Sequence, residues 1–181
     1  MNTTTEAVSA SPRAAGGRRA ASTTAIEATY RAQAARFRGL AAAVAGADAA
    51  SDVVQEAFAH ALRKRASWRG EGPLEAWLWR LVLNAARDAE RRRVRRDRLT
   101  ARLLRLFERD VEPAASVGRT LDGPLRRLPS RQRDCVVLRY YGDLAYAEIA
   151  DVLGIEIGTV SALLSRAHAA LRAELEREEL Q

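Results

Sequence analysis

WRGEGPLEAWLWRLVLNAARDAERRRVRRDR, from Trp68 to Arg98, opens as a glycine-bearing loop and continues as a helix that starts aromatic and ends basic. Pro73 suits the first turn of a helix, where its missing N–H would have no intrahelical partner anyway. At 3.6 residues per turn Leu74, Trp77, Leu78, Leu81, Val82 and Ala85 form one apolar stripe, which predicts a core on that side. Arg80, Asn84, Arg87 and Arg91 fall opposite, while Trp79 and Leu83 sit off the main stripe and widen the apolar surface towards them. Periodicity leaves Trp79 open between packing and stacking. Cations, an amide and a flat ring hold phosphates, read base edges and stack on bases, so this side predicts a nucleic-acid surface. Ten Arg stand against four acids from Arg87 to Arg109, too many for i,i+4 pairing to neutralise, and a polyanion is the economical partner.

The totals agree. A formal charge of +7 over 181 residues favours an acidic partner and allows one domain or two small ones. Five prolines and no sustained alternating β-branched segment predict an all-α fold. One cysteine excludes an internal disulfide, and with two histidines it leaves almost nothing for a metal cluster, so no cofactor is expected. Cys135, within CVVLRYY, reads as a small buried hydrophobe. No apolar run approaches membrane-spanning length, which predicts a soluble, cytoplasmic protein without membrane insertion.

On the N-terminal side, residues 1–25 are Ala, Ser, Thr, Gly and Arg with almost no large apolar side chain, and read as a disordered tail. Ile26, Tyr30, Phe37, Leu40 and Val44 space a helix over 26–45 that Gly46 can end. Asp48 or Ser51 can cap the next helix, SDVVQEAFAHALRKR, with Val54, Ala57, Phe58, Ala61 and Leu62 inward. Its other side bears Asp52, Gln55, Glu56 and Ala59, either solvated surface or a dock for a basic helix. After the central stretch the helix continues through Leu99, Leu103, Leu106 and Phe107. Pro113, Gly118, Gly123 and Pro124 then break any periodicity, predicting a flexible linker over 110–124 between small helical domains at 26–109 and 125–181.

In the second domain Pro129 and Ser130 open a helix that turns Cys135, Val136, Leu138 and Tyr141 to a core, and Gly142 closes it. A short helix through Ile149 and Leu153, a turn at Gly154 and a longer helix from about Gly158 follow, packed by Ile155, Val160, Leu164, Ala167 and Leu171. That order fits a helix-turn-helix whose second helix enters the major groove, although spacing alone also allows an ordinary helical hairpin. The acidic ELEREEL end reads as a solvated helical continuation. His60 and His168 fall in separate domains with no triad, phosphate loop or metal spacing around them, which argues against an enzyme.

Four pieces in this order resemble bacterial RNA polymerase sigma factors of the extracytoplasmic-function (ECF) group of the sigma-70 family: DVVQEAF (Asp52 to Phe58), RGEGPLEAWLWRLVLNAARD (Arg69 to Asp88), LPSRQRDCVVLRYYGDLAYAEIADVLGI (Leu128 to Ile155) and GTVSALLSRAHAALR (Gly158 to Arg172). The resemblance implies a region 2-like first domain binding core RNA polymerase through Asp52, Gln55 and Glu56. It implies capture of the minus-ten promoter element by Trp68, Arg69, Arg80, Asn84, Arg87 and Arg91, with an extruded base held near the Trp68 to Pro73 loop. It implies a region 4-like second domain reading the minus-thirty-five element through Thr159, Ser161, Ala162, Ser165 and Arg166. An anti-sigma factor is a further partner that many such proteins have.

The chain departs from this pattern in its recognition helix. The family commonly places a basic residue, a serine and an arginine where Ser161, Ala162 and Leu163 stand here, which implies a weaker or unusual upstream element. Arginine at position 163 is therefore expected to strengthen promoter binding. Serine is also common at the positions of Ala145 and Glu156, and Ala145 cannot complete a capping box with Glu148. Two alternatives remain at this stage: a helix-turn-helix regulator acting on duplex DNA alone, and a sigma-like polymerase-binding protein with weakened promoter selection.

Overall fold

The computed structural model describes residues 20–68, 70, 72–107 and 122–179, and every regular element among them is helical. Helix α1 (Thr23–Ala45) begins ahead of the expected Ile26, because the Ser22 side chain accepts from the Ala25 N–H at 3.4 Å. Ala21 is buried and its N–H donates to the Arg65 carbonyl at 3.1 Å, so the expected tail is ordered at its inner end. The rest of that tail, to residue 19, lies outside the described residues. Gly46 separates α1 from α2 (Ala47–Arg63), and a short 3-10 turn, Arg65–Ser67, leads to Trp68.

Helix α3 (Leu74–Phe107) packs its first half on α1 and α2 and carries the basic run beyond them. Its buried face is rotated from the predicted stripe. Leu78, Trp79, Val82, Leu83 and Ala86 are fully buried, whereas Leu74, Trp77, Leu81 and Ala85 are half-buried. The cause is Trp79, whose ring lies 4.2 Å from Phe37 while its Nε1–H donates to Gln33 Oε1 at 3.2 Å. A large ring with a satisfied polar edge takes the deepest place and turns the helix with it. Phe58 completes the cluster against Phe37 and Tyr30 at 5.2 and 4.9 Å. Leu62, expected inward on α2, is 41 % exposed.

Asp122–Arg127 form the short helix α4, so the expected linker gives up its last residues to helix; its remainder, to residue 121, lies outside the described residues. Then come α5 (Ser130–Tyr140), α6 (Tyr146–Leu153) and α7 (Ile157–Glu179). Cys135, Val137, Leu138, Ile149, Val152, Val160, Leu164 and Ala167 make their shared core. After α5 the chain turns so tightly that a Cβ at Gly142 would lie 2.6 Å from the Leu138 carbonyl oxygen. Only glycine fits there. Gly154 ends α6 in the left-handed region at φ 65°, and the Ile155 N–H folds back to the Ala150 carbonyl at 3.1 Å. This turn sets α7 against α6 as a helix-turn-helix.

The two helical units also touch: α6 packs on α3 and α5 on α1, and their buried side chains form one continuous cluster. Among the described residues no helix is long and apolar enough to cross a membrane.

Candidate nucleic-acid interface

Three predicted surfaces occupy three different settings. On α2, Val53, Val54, Ala57 and Phe58 are buried at helical spacing, which leaves Asp52, Gln55 and Glu56 together on the exposed side. Glu56 reaches across to Arg92 of α3 at 3.2 Å, a surface pair that costs little to break.

The α3 face is brought together only in part. Trp68 packs half-buried on the first unit's core, and its Nε1 is buried without a hydrogen-bond partner. Arg69 lies outside the described residues. Asn84 is exposed, and Arg91 is exposed and paired with Asp88 of its own helix. Arg80 and Arg87 are drawn elsewhere. Arg80 Nε and Nη2 donate to the carbonyls of Val152 and Asp151 at 2.8 and 2.7 Å, the free C-terminal end of α6. Arg87 Nε donates to Asp134 Oδ1 at 3.0 Å, and its Nη2 completes an ion pair with the same carboxylate.

The ring that reaches an open surface is Trp77, contrary to the predicted stripe. With Gly72, Pro73, Arg80, Asp151 and Ile155 it lines a cleft of about 470 Å³ between the start of α3 and the turn after α6. Trp79, buried and hydrogen-bonded, has no face left for a base. Further along α3, Arg95, Arg96, Arg98 and Arg102 are exposed and make no ion pair with an acid among the described residues.

On α7 the burial of Val160, Leu164 and Ala167 leaves Thr159, Ser161, Ala162, Ser165 and Arg166 exposed along one face. Leu163 lies off this exposed face. That side chain is half-buried against the core, so an arginine there would first have to leave its packing. At the flank Tyr140 Oη and His168 Nε2 lie 2.9 Å apart. The acidic end of α7 is less freely solvated than expected, because Glu174 is paired with Arg127 of α4 and with Arg177.

Asp134 is the residue that sequence reading missed. It is only 3 % exposed, on the side of α5 that also buries Leu138, one helical turn on. A lone carboxylate on an apolar stripe in a basic chain is the signal that could have announced an arginine partner. Burial pushes its carboxyl above the ordinary value, and the Arg87 guanidinium pulls against that by charge and hydrogen bond. Arg36 was missed too: its Nη2 donates to the Asp143 carbonyl at 2.7 Å, and its guanidinium carbon lies 5.7 Å from the centre of the Trp79 ring. Among the described residues no group of His, Cys, Asp and Glu is arranged to hold a metal ion.

Two known family regions match the chain, one on each helical unit. Sigma-70 region 2 matches residues 29–96 and Sigma-70, region 4 matches residues 121–171. The chain is 32% identical to the RNA polymerase sigma-H factor of Pseudomonas aeruginosa over 144 residues, covering 72% of this chain and 75% of that one. It is 27% identical to the ECF RNA polymerase sigma factor SigW of Bacillus subtilis, covering 70% and 75%. Among solved structures, CnrH in complex with the cytosolic domain of CnrY superposes with a TM-score of 0.63 at 25% identity, over 86% of this chain and 90% of that one. The sigma factor RpoE of Bartonella quintana, solved with the anti-sigma factor NepR, shares the fold with a TM-score of 0.57 at 24% identity, over 84% and 95%. With two sigma-70 regions in order and a sigma factor 32% identical over three quarters of its own length, the chain belongs to the sigma-70 family of RNA polymerase sigma factors, in its ECF group.

Proposed function

We propose that the acidic and amide edge of α2 (Asp52, Gln55, Glu56) docks bacterial core RNA polymerase, and that α3 and α7 divide the promoter between them. Trp68, Arg69, Arg80, Asn84, Arg87 and Arg91 hold the separated minus-ten strand, with the cleft beside Trp77 as the place for an extruded base. Unpairing costs a few kcal/mol, roughly, which cationic and stacking contacts must offset. Thr159, Ser161, Ala162, Ser165 and Arg166 read the minus-thirty-five element as duplex. The observation that carries this reading is the order of faces on one folded chain: acidic α2, aromatic and cationic α3, polar α7.

The chain then acts in the cytoplasm as a specificity factor without catalysis or cofactor of its own, and an anti-sigma protein is a candidate partner. Capture of core polymerase tests the first step. Asp52→Lys with Glu56→Lys should weaken it by about tenfold or more, since like charges facing a basic partner are costly, with the helical circular dichroism unchanged. Unchanged capture would refute the α2 assignment. The charge-poor α7 face favours one second reading, a polymerase-binding protein with weak promoter selection. Scattered RNA starts lacking a shared upstream element would be its signature.

A further inference from the structure

A cleft of about 310 Å³ lies between the middle of α3 and the first turns of α5, and guanidiniums line it from both helices: Arg87 and Arg91 from α3, Arg131 and Arg133 from α5. Two carboxylates share the lining, but each is already matched. Asp134 is held by Arg87, and Glu90 by Arg93 at 3.1 Å and Arg126 at 3.8 Å. Arg131 and Arg133 are left over, with no hydrogen bond or ion pair from their side chains among the described residues. Burial raises the Asp134 carboxyl while the charges of Arg87, Arg133 and Arg131 all pull against it, so three cations act on one spot. Arg133 is half-buried there, at a desolvation cost that no partner within the chain offsets. Val44 and Leu153 form the apolar side of the cleft, where a charge is felt more strongly than in open water.

We propose that this cleft is a binding site for a small anion carrying two or more phosphate groups, gripped from α3 on one side and from α5 on the other. A guanidinium meets a phosphate edge-on with two parallel N–H donors, so guanidiniums on two helices suit two linked phosphates better than one. No aromatic side chain lines the cleft, so nothing there selects a base, and the phosphates are what is recognised. The site does not depend on whether Arg87 and Arg91 also meet the minus-ten strand, because Arg131 and Arg133 belong to neither proposed promoter face. An anion that touches both helices also stabilises the folded chain by mass action.

The test titrates the full chain with inorganic pyrophosphate and with tripolyphosphate, free of divalent metal and at constant ionic strength, by calorimetry and by the thermal unfolding midpoint. One anion should bind per chain and raise the midpoint. Arg131→Ala with Arg133→Ala should weaken binding by about tenfold or more, since a lost charge-assisted hydrogen bond is worth roughly that much. Arg98→Ala with Arg102→Ala removes the same charge about 10 Å or more further along α3, where salt screens it, and should leave binding within about twofold. Ser130→Asp guards against a variant that merely unfolds. An acid suits the first turn of α5, so the helix is kept while the anion is repelled, and binding should be lost without a lower midpoint for the anion-free chain. No saturable binding, several anions per chain, equal losses in the two double variants, or retained binding in the Ser130→Asp chain would each overturn the proposal. A short single strand of DNA is the rival occupant: if it binds and depends on Arg131 and Arg133 while pyrophosphate does not bind, the cleft belongs to DNA and the proposal fails.

Discussion

The α3 face and the α7 face differ in opposite respects. Along α3, Arg80 and Arg87 carry strong charge that is engaged inside the protein, while along α7 five positions stand open with Arg166 as their only cation. Cations supply most non-specific affinity for nucleic acid, whereas groups at base edges supply discrimination. On the proposed reading, binding strength resides in the first unit, whose Arg80 and Arg87 are already hydrogen-bonded within the chain. On the same reading the second unit, with one cation among its five exposed positions, grips weakly.

The largest expected effect tests what the charged face stands on. Trp79→Ala should destabilise the chain by about 3–5 kcal/mol in urea unfolding, because it empties a ring site and removes the shorter of the two hydrogen bonds that Gln33 Oε1 accepts. A loss below about 1 kcal/mol would mean that the α3 face is not anchored through this ring. Next, Ala162→Arg adds a cation to the open face. It should steepen the salt dependence of duplex binding by about one unit of log–log slope, the mark of one more phosphate contact. Leu163→Arg should gain less, because that side chain leaves a half-buried place; equal gains would show that α7 presents a different face to DNA.

A smaller effect belongs to the frame that holds α7. Glu148 already accepts from the Ala145 N–H at 2.6 Å, and alanine offers no oxygen to return the bond. Ala145→Ser completes that box and should stabilise the second unit by about 1 kcal/mol, read as a raised unfolding midpoint. Least visible is Cys135, whose thiol is pushed up to about 11, first by burial and then by the negative charge of Asp134. Its contribution to stability is present below the ordinary thiol value of 9.0 and is lost as pH rises through about 11. At pH 8 the native chain should resist alkylation there, and ready modification would place Cys135 outside the core.

Much of this was legible in the sequence. Periodicity gave the helices, the exposed edge of α2 and the α7 face, because each follows from which side of one helix is apolar. It misjudged α3 because that helix is packed on more than one side. Trp79 went inward with its polar edge satisfied, and Trp77 was left at the cleft. The contacts of Arg80, Arg87 and Arg36 with α6, Asp134 and Asp143 were not legible at all. They join residues 71 and 72, 47 and 107 positions apart, and three of the four end on backbone carbonyls that no side-chain pattern announces. Asp134 alone left a trace, as a carboxylate on an apolar stripe.

Mapping RNA starts tests the central claim most directly. The purified chain would be mixed with sigma-free bacterial core polymerase and fragmented DNA from its own genome, and the 5′ ends of the transcripts sequenced. New starts sharing an upstream element, absent without the chain, are the predicted result. Polymerase that neither binds the chain nor starts anywhere new in its presence would contradict the account.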